Sequence, residues 1–324
     1  MEGAMRRVSI SDFRKCEGAF AEAAQLSPDL SPFCSGPVWQ WAAHDSLHEG
    51  KETAEHFIYE ADGNWIAFVE WDDYGLWFPF EGAWMFACPL VGDPHRCIEL
   101  LETAVRENPA MQKGFCIGGV LDGGELHRAF REKREEFLSY REVPMSEAMI
   151  IELGAGSDAW LSRRSRKFRR TLRQATEVEG IEIVDLREEK VEDLFERMLG
   201  IQEKTYKWSE GTDIFQSGNY ERFYLDIMRR LSKSGDLRFL VARQGEEDIA
   251  YIFGGTLGKT YRGFQMSYAE SARDLGVGNR LQWENLVRCE QEGVERYDLG
   301  MHADYKERWI DRRDDYLAIV VAFP

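Results

Sequence analysis

Residues 261–287 read YRGFQMSYAESARDLGVGNRLQWENLV, and the residues in them best suited to chemistry are Arg273, Gly276, Val277, Gly278, Asn279 and Arg280. The stretch from Tyr261 to Tyr268 alternates large apolar residues with smaller or polar ones, the period of a strand. After a polar break, Leu281, Trp283, Leu286 and Val287 recur at helical spacing. A glycine turn between a strand and a helix makes a socket for an anion. The first helical turn has unpaired N–H groups and about half a positive charge from the macrodipole. Gly276 and Gly278 let a phosphate approach that backbone with no Cβ in the way. A plain structural turn would carry the same letters, so the rest of the chain has to decide. A P-loop does not fit, because no Lys-Ser or Lys-Thr follows Gly278.

The elements that must position this turn come from a chain of 324 residues, enough for about two domains. Hydrophobic residues make up 44% and charged ones 31%, which describes a globular protein with sizeable cores. The net charge of -17 disfavours broad nucleic-acid binding unless basic residues are gathered in one place. The six cysteines show no CxxC pair and no metal-ligand spacing, so we expect reduced, mostly buried thiols and no metal. No apolar run reaches membrane-spanning length and the first residues lack an apolar leader core. A cytoplasmic protein without a membrane partner is the expectation.

In chain order, residues 1–50 read as mostly helix and loop. A hairpin follows, His56 to Glu60 and Trp65 to Glu70 around Asp62-Gly63-Asn64. Tyr74 to Met85 reads as further strand, 94–108 as helix, 114–120 as strand and 125–136 as helix. A boundary falls near Gly154, giving expected domains of 1–154 and 155–324. Beyond it, Ser157-Asp158 is expected to cap one helix holding Arg163, Arg164, Arg166, Lys167, Arg169, Arg170 and Arg173, a basic run that no acid interrupts. It reads either as a solvated face or as an anion site. Strand 180–184, helices 191–205 and 220–232, and a hairpin of 237–243 with 248–255 precede the central stretch. Residues 293–300 read as the strand after it.

The halves echo each other. Ile66-Ala67 and Ile249-Ala250 each lie early in the second strand of a hairpin that leads into aromatic strand and then helix. The first half has Cys88-Pro-Leu-Val-Gly-Asp-Pro94 where the second has its Gly-x-Gly turn, so it is the expected degenerate copy.

Four features then agree in order: the basic segment Ser162 to Arg173, the Ile249-Ala250 hairpin, the Gly276-Val277-Gly278 turn, and Gly300 followed by Tyr305-Lys306 and Trp309. Together they resemble the FemAB/CelD-like branch of the GNAT acyltransferase superfamily over residues 157–309. The resemblance implies an α/β (α+β) fold of two tandem GNAT-like mixed-sheet domains with helices on both faces. It also implies acyl transfer to an amine, with acetyl-CoA or another acyl-CoA as donor in most members and aminoacyl-tRNA in the peptidoglycan-bridge enzymes. The acidic composition and the Arg-x-x-Gly-x-Gly loop favour acyl-CoA; the basic helix keeps tRNA as the alternative. A CoA-binding protein without turnover is a third possibility. The acceptor and the oligomeric state stay open.

Near the acyl end that this family would use lie Tyr268, Glu270, Asp298, His302, Asp304, Tyr305 and Lys306. An amine must lose a proton before it attacks a thioester, so a base is sought. His302 has a suitable ordinary pKa but reads equally as a surface loop histidine. Asp298, at a strand end, is a base or a cap. The resemblance supports Tyr305 as proton donor and Lys306 as cationic stabiliser, against a solvated helix start for the latter.

Overall fold

The structure is a computed structural model and describes residues 4–47, 54–71, 75–109 and 113–324. Its strands are β1 (Arg6–Arg7), β2 (His56–Ala61), β3 (Asn64–Trp71), β4 (Leu76–Phe78), β5 (Leu90–Val91), β6 (Gly114–Leu121) and β7 (Ser139–Glu152). Then come β8 (Ile181–Asp185), β9 (Leu237–Gln244), β10 (Glu247–Leu257), β11 (Thr260–Tyr268), β12 (Arg296–Met301) and β13 (Arg312–Ala322). The helices are α1 (Ile10–Lys15), α2 (Glu17–Leu26), α3 (Pro32–Ser35), α4 (Pro37–Ser46), α5 (Pro94–Glu107) and α6 (Glu125–Glu132). They continue with α7 (Ser157–Ser162), α8 (Arg166–Thr176), α9 (Val191–Gln202), α10 (Tyr206–Ser209), α11 (Gly218–Ser234) and α12 (Val277–Gln291). Two compact units result, residues 1–147 with 314–324, and residues 148–313. No described helix is long and apolar enough to cross a membrane.

The first unit orders its strands β1-β2-β3-β4-β6-β13, with β5 beside β3. β4 and β6 pair in parallel, through Leu76↔Gly114 and Trp77↔Phe115. Asp62 and Gly63 both take positive φ at the β2–β3 turn, the conformation that suits the twist of a tight hairpin. Along β3 the side chains alternate between two cores. Ile66 and Phe68 pack with Leu101 and Phe115, while Trp65, Ala67 and Val69 pack with Phe13, Phe20 and Trp41. Helices therefore cover both faces, and the strand reads as a continuous apolar run for that reason.

The second unit repeats this plan. Its order is β7-β12-β11-β10-β9-β8, using the 148–152 part of β7, and its one parallel pair is β11 with β12. Ala250 and Ile252 of β10 face Val277 and Leu281 of α12. Tyr251 and Phe253 face the other way, where Tyr224 of α11 meets Phe253 edge-on and Gln202 of α9 accepts from the Tyr251 hydroxyl. Ile66-Ala67 and Ile249-Ala250 occupy the third and fourth places of β3 and β10. The mixed α/β fold of two tandem units expected above is thus the fold observed.

Four local expectations change. The basic segment is two helices, because Ser165 breaks it and caps α8, its Oγ accepting from the Phe168 amide at 3.1 Å. The cap expected at Ser157-Asp158 is instead Gly156, with φ of 90° and no side-chain bond. Leu76–Phe78 is the only strand in the described part of 74–85, which turns into a 3-10 helix at Gly82–Trp84; Tyr74 lies outside the described residues. Helix 191–205 stops at Gln202, because Thr205 caps α10 from its own hydroxyl.

Candidate functional site

Strands β11 and β12 pair from Thr260↔Arg296 to Arg262↔Asp298 and then part. β11 keeps its bonds to β10 as far as Tyr268↔Ala250, with Phe264 bulged out where the register shifts. On its other edge, the backbone of residues 263–268 is released from strand pairing. A buried ion pair sits where the strands part: Arg262 Nη1 donates to Asp298 Oδ2 at 2.6 Å, and Asp298 Oδ1 accepts from the Gly300 amide at 2.7 Å. Gly300 has φ of 79°, and β12 slips register against β7 between Asp298 and Met301. The Arg262 pair ties β11 and β12 together at their last register position, and the Asp298 bond to the Gly300 amide fixes the turn just beyond it.

The gap leads to a cavity of about 330 Å³ over the start of α12. Gly276 is the helix N-cap, with φ of 66°, and a Cβ there would stand 3.1 Å from the Ala175 Cβ of α8. Positive φ and close helix contact both call for glycine. The Asn279 and Arg280 amides donate back to the Gly276 carbonyl at 3.0 and 3.2 Å. The Val277 and Gly278 amides are left without a backbone partner among the described residues. They point the positive end of α12 outward. A Cβ at Gly278 would lie 3.6 Å from the Tyr268 ring and 3.8 Å from Met266, and both of those residues line the cavity.

Of the residues proposed from sequence, Arg273, Gly276, Val277, Gly278, Asn279 and Tyr305 come together on the cavity wall. Arg280 does not: its guanidinium donates to the Val178 carbonyl at 2.9 Å and ties α12 to the end of α8. His302 faces away to Glu307, 2.8 Å from its Oε1. Asp298 is spent on Arg262 and Gly300, as described. Lys306 stands just behind the wall, where its Nζ donates to the Leu299 and Met301 carbonyls, each at 2.7 Å. Burial lowers its pKa to about 8; Arg262 and Lys207 push in the same direction and Asp298 opposes them. Tyr305 keeps 47% of its surface exposed, yet the protein around its hydroxyl and the nearby Tyr268 raise its pKa to about 12.

The spacing Tyr305-Lys306-x-x-Trp309 now has a physical account. A 3-10 turn (Asp304–Lys306) sends the tyrosine to the cavity and the lysine back to the strand end. Trp309 then enters the core, stacked on Trp160 at 5.6 Å with Phe168 edge-on at 5.0 Å. Thr205, Lys207, Met266, Gln282 and Arg308 also line the cavity and escaped the sequence reading. Arg308 carried a signal, inside the Tyr-Lys-x-x-Trp run; its Nη2 donates to Asn279 Oδ1 at 3.0 Å, beside the helix start. Lys207 and Gln282 carried none, since exposed and helical polar residues of their kind recur throughout the chain. Buried thiols are no rival nucleophiles: burial pushes Cys88 and Cys289 to about 12.

Among the described residues the first unit has no equivalent socket. At the start of α5, Pro94 has no N–H to offer, and Asp93 caps the helix itself by accepting from the Arg96 amide at 3.0 Å. The gap between β4 and β6 is filled by chain, with the Gly119 amide donating to the Met85 carbonyl at 2.9 Å. Gly118 and Gly119 leave no room even for a Cβ against Met85 and Ala87.

This fold has known counterparts. Residues 162–307 match the family model described as acetyltransferase (GNAT) domain. A crystal structure of FemX aligns over 97% of this chain and 96% of its own, with a TM-score of 0.68 and 10% identity. The structure of L-PGS from Bacillus licheniformis aligns over 82% of this chain and 83% of its own, with a TM-score of 0.54 and 15% identity. A tandem GNAT protein from the clavulanic acid biosynthesis pathway aligns over 99% of both chains, with a TM-score of 0.51 and 12% identity. A search of curated protein sequences finds no match. The chain has a fold of two tandem GNAT-like units.

Proposed function

We propose that the chain is an N-acyltransferase of the FemAB/CelD-like kind, moving an acyl group from acyl-CoA, with acetyl-CoA expected, to a primary amine of a small molecule or sugar. The observation that carries this is the start of α12. Two backbone amides without partners among the described residues, flanked by Arg273 and Arg308, open into the gap between parting strands. The pyrophosphate of CoA fits that helix start. In this proposal the unit of residues 148–313 is the catalytic copy, and residues 1–147 with 314–324 are the copy whose socket Asp93 and Pro94 close.

The chemistry runs on groups of this chain. The amine nitrogen attacks the thioester carbonyl carbon, the N–C bond forms and the C–S bond breaks. Backbone N–H groups on the released edge of β11 face the oxygen as it gains charge. Lys306, fixed to the end of β12, adds a positive field. The departing sulfur takes its proton from Tyr305, whose raised pKa keeps the hydroxyl protonated across neutral pH. No carboxylate or imidazole lines the cavity among the described residues, so the proton of the amine leaves through water.

The test is Gly278→Glu, which places a carboxylate against Tyr268 and Met266 in the cavity. Calorimetry should show acetyl-CoA binding lost, while the thermal unfolding midpoint stays near that of the parent. A folded variant with unchanged affinity would overturn the proposal. A second donor, aminoacyl-tRNA, has one observation in its favour. Arg166, Lys167, Arg169, Arg170 and Arg173 are exposed on α8 and form no ion pair among the described residues.

A further inference from the structure

The charges around the cavity are one-sided. Its wall holds Lys207, Arg273 and Arg308 and no aspartate or glutamate. Two of these cations are already engaged near the helix start. Arg308 donates to Asn279, and Arg273 meets Glu270 at 3.1 Å and lies over the Tyr206 ring at 5.8 Å. Lys207 is different: its ammonium makes no hydrogen bond or ion pair among the described residues.

Its backbone is nonetheless tightly placed. The Thr205 hydroxyl donates to the Gln202 carbonyl at 2.8 Å and accepts from the Trp208 amide at 3.3 Å. The Thr212 amide closes on the Lys207 carbonyl at 3.0 Å, and the Glu270 amide donates to the Lys204 carbonyl at 2.9 Å. Gln202 itself is buried between the Tyr251 hydroxyl and Asp213. A fixed segment thus carries an unpaired ammonium to the cavity. That ammonium lies within electrostatic reach of Lys306, at the parting of β11 and β12 and so at the end where the acyl carbon would sit. Two like charges within reach repel each other; Asp298 opposes this at Lys306, while Lys207 has no such partner among the described residues. An anion entering with the acceptor would supply one.

We propose that the acceptor is an amine bearing its own carboxylate or phosphate, and that Lys207 binds that acidic group. This rests on the acyl-transfer function proposed above. An ammonium–carboxylate bond in a partly closed cavity contributes enough to change kcat/KM by about ten- to a hundredfold. Guanidinium is not required, since a single flexible donor suffices for one anionic group.

Matched amines that differ in this charge alone test it: glycine against glycinamide, and 2-aminoethyl phosphate against ethanolamine. With acetyl-CoA as donor and free thiol as the readout, the acidic member of at least one pair should win. Lys207→Ala should cut its kcat/KM about tenfold or more and Lys207→Arg should restore most of that. Transfer to the neutral member should stay within about twofold, since it carries no acidic group for Lys207 to hold. A preference for the neutral member, equal losses for both members, or no transfer to any pair by protein that binds acetyl-CoA would overturn the proposal. If acetyl-CoA does not bind, the donor assignment falls instead. The pairs are then titrated calorimetrically, and acidic-member binding that Lys207→Ala abolishes sustains the proposal, while its absence overturns it.

Discussion

In the proposed reaction Lys306 serves the strand and the chemistry with one side chain. Two of its three N–H groups are held by the Leu299 and Met301 carbonyls, and burial brings its pKa to about 8. A lysine lowered in this way is charged below that pH and neutral above it. If its charge stabilises the developing oxyanion, kcat/KM should fall as pH rises through about 8, after any rise from deprotonation of the acceptor. Lys306→Arg should move that falling limb out of the measured range, because guanidinium stays charged. A limb that persists unchanged in the variant would assign it to another group. The sequence pointed to this lysine through its place in Tyr-Lys-x-x-Trp, but could not say what the ammonium touches. Asp298 and His302 show the limit more sharply. Each is a residue type that can act as a base, yet one is committed to Arg262 and Gly300 and the other to Glu307. Residue type gives chemical capacity; only the fold tells where it has been used.

Among the elements, α12 and α8 belong together. Gly276 lets the start of α12 lie against Ala175, and Arg280 reaches the Val178 carbonyl just past α8. The strand, glycine turn and helix of the socket were legible because period and glycine placement are local signals. The break at Ser165 was hidden by the unbroken basic run around it, although a serine cap is itself a local signal. The exposed face of α8 sets five cations over about 10 Å of helix with no counter-carboxylate among the described residues. Pairs such as Arg166 with Arg170 repel by a few tenths of a kcal/mol each. This face separates the two donors. A tRNA donor would bring many phosphates to it, with the logarithm of affinity falling by about 0.9 for each neutralised phosphate per decade of salt. We expect the shallow dependence of an acyl-CoA donor, and little change in acetyl-CoA affinity in Arg166→Ala/Arg170→Ala. Transfer from charged tRNA alone, with a steep salt slope that this variant flattens, would reverse the choice.

At the scale of the molecule, the two units share one strand plan, with a parallel pair in the same place in each order. The Ile-Ala hairpins made that repeat readable. Less readable was the destination of residues 314–324. β13 has the alternating, apolar look of any buried strand, and nothing in it names β6 as its partner. It pairs there from Tyr316↔Leu121 to Val321↔Phe115, burying Leu317, Ile319 and Val321 in the core around Phe115. Removing residues 314–324 should therefore unfold the first unit rather than trim a tail. Hydrogen exchange should show β6 and α5 deprotected, while α12 keeps its protection. Retained protection in β6 would mean that β13 is dispensable. The same pairing has a consequence during synthesis. Domains commonly fold from the first residue onward as the ribosome delivers them. Here residues 148–313 are all available before the first unit has received β13, so the half that begins second can be finished first. Until then β6 waits with an open edge, and chaperone capture of the nascent chain should concentrate on that interval.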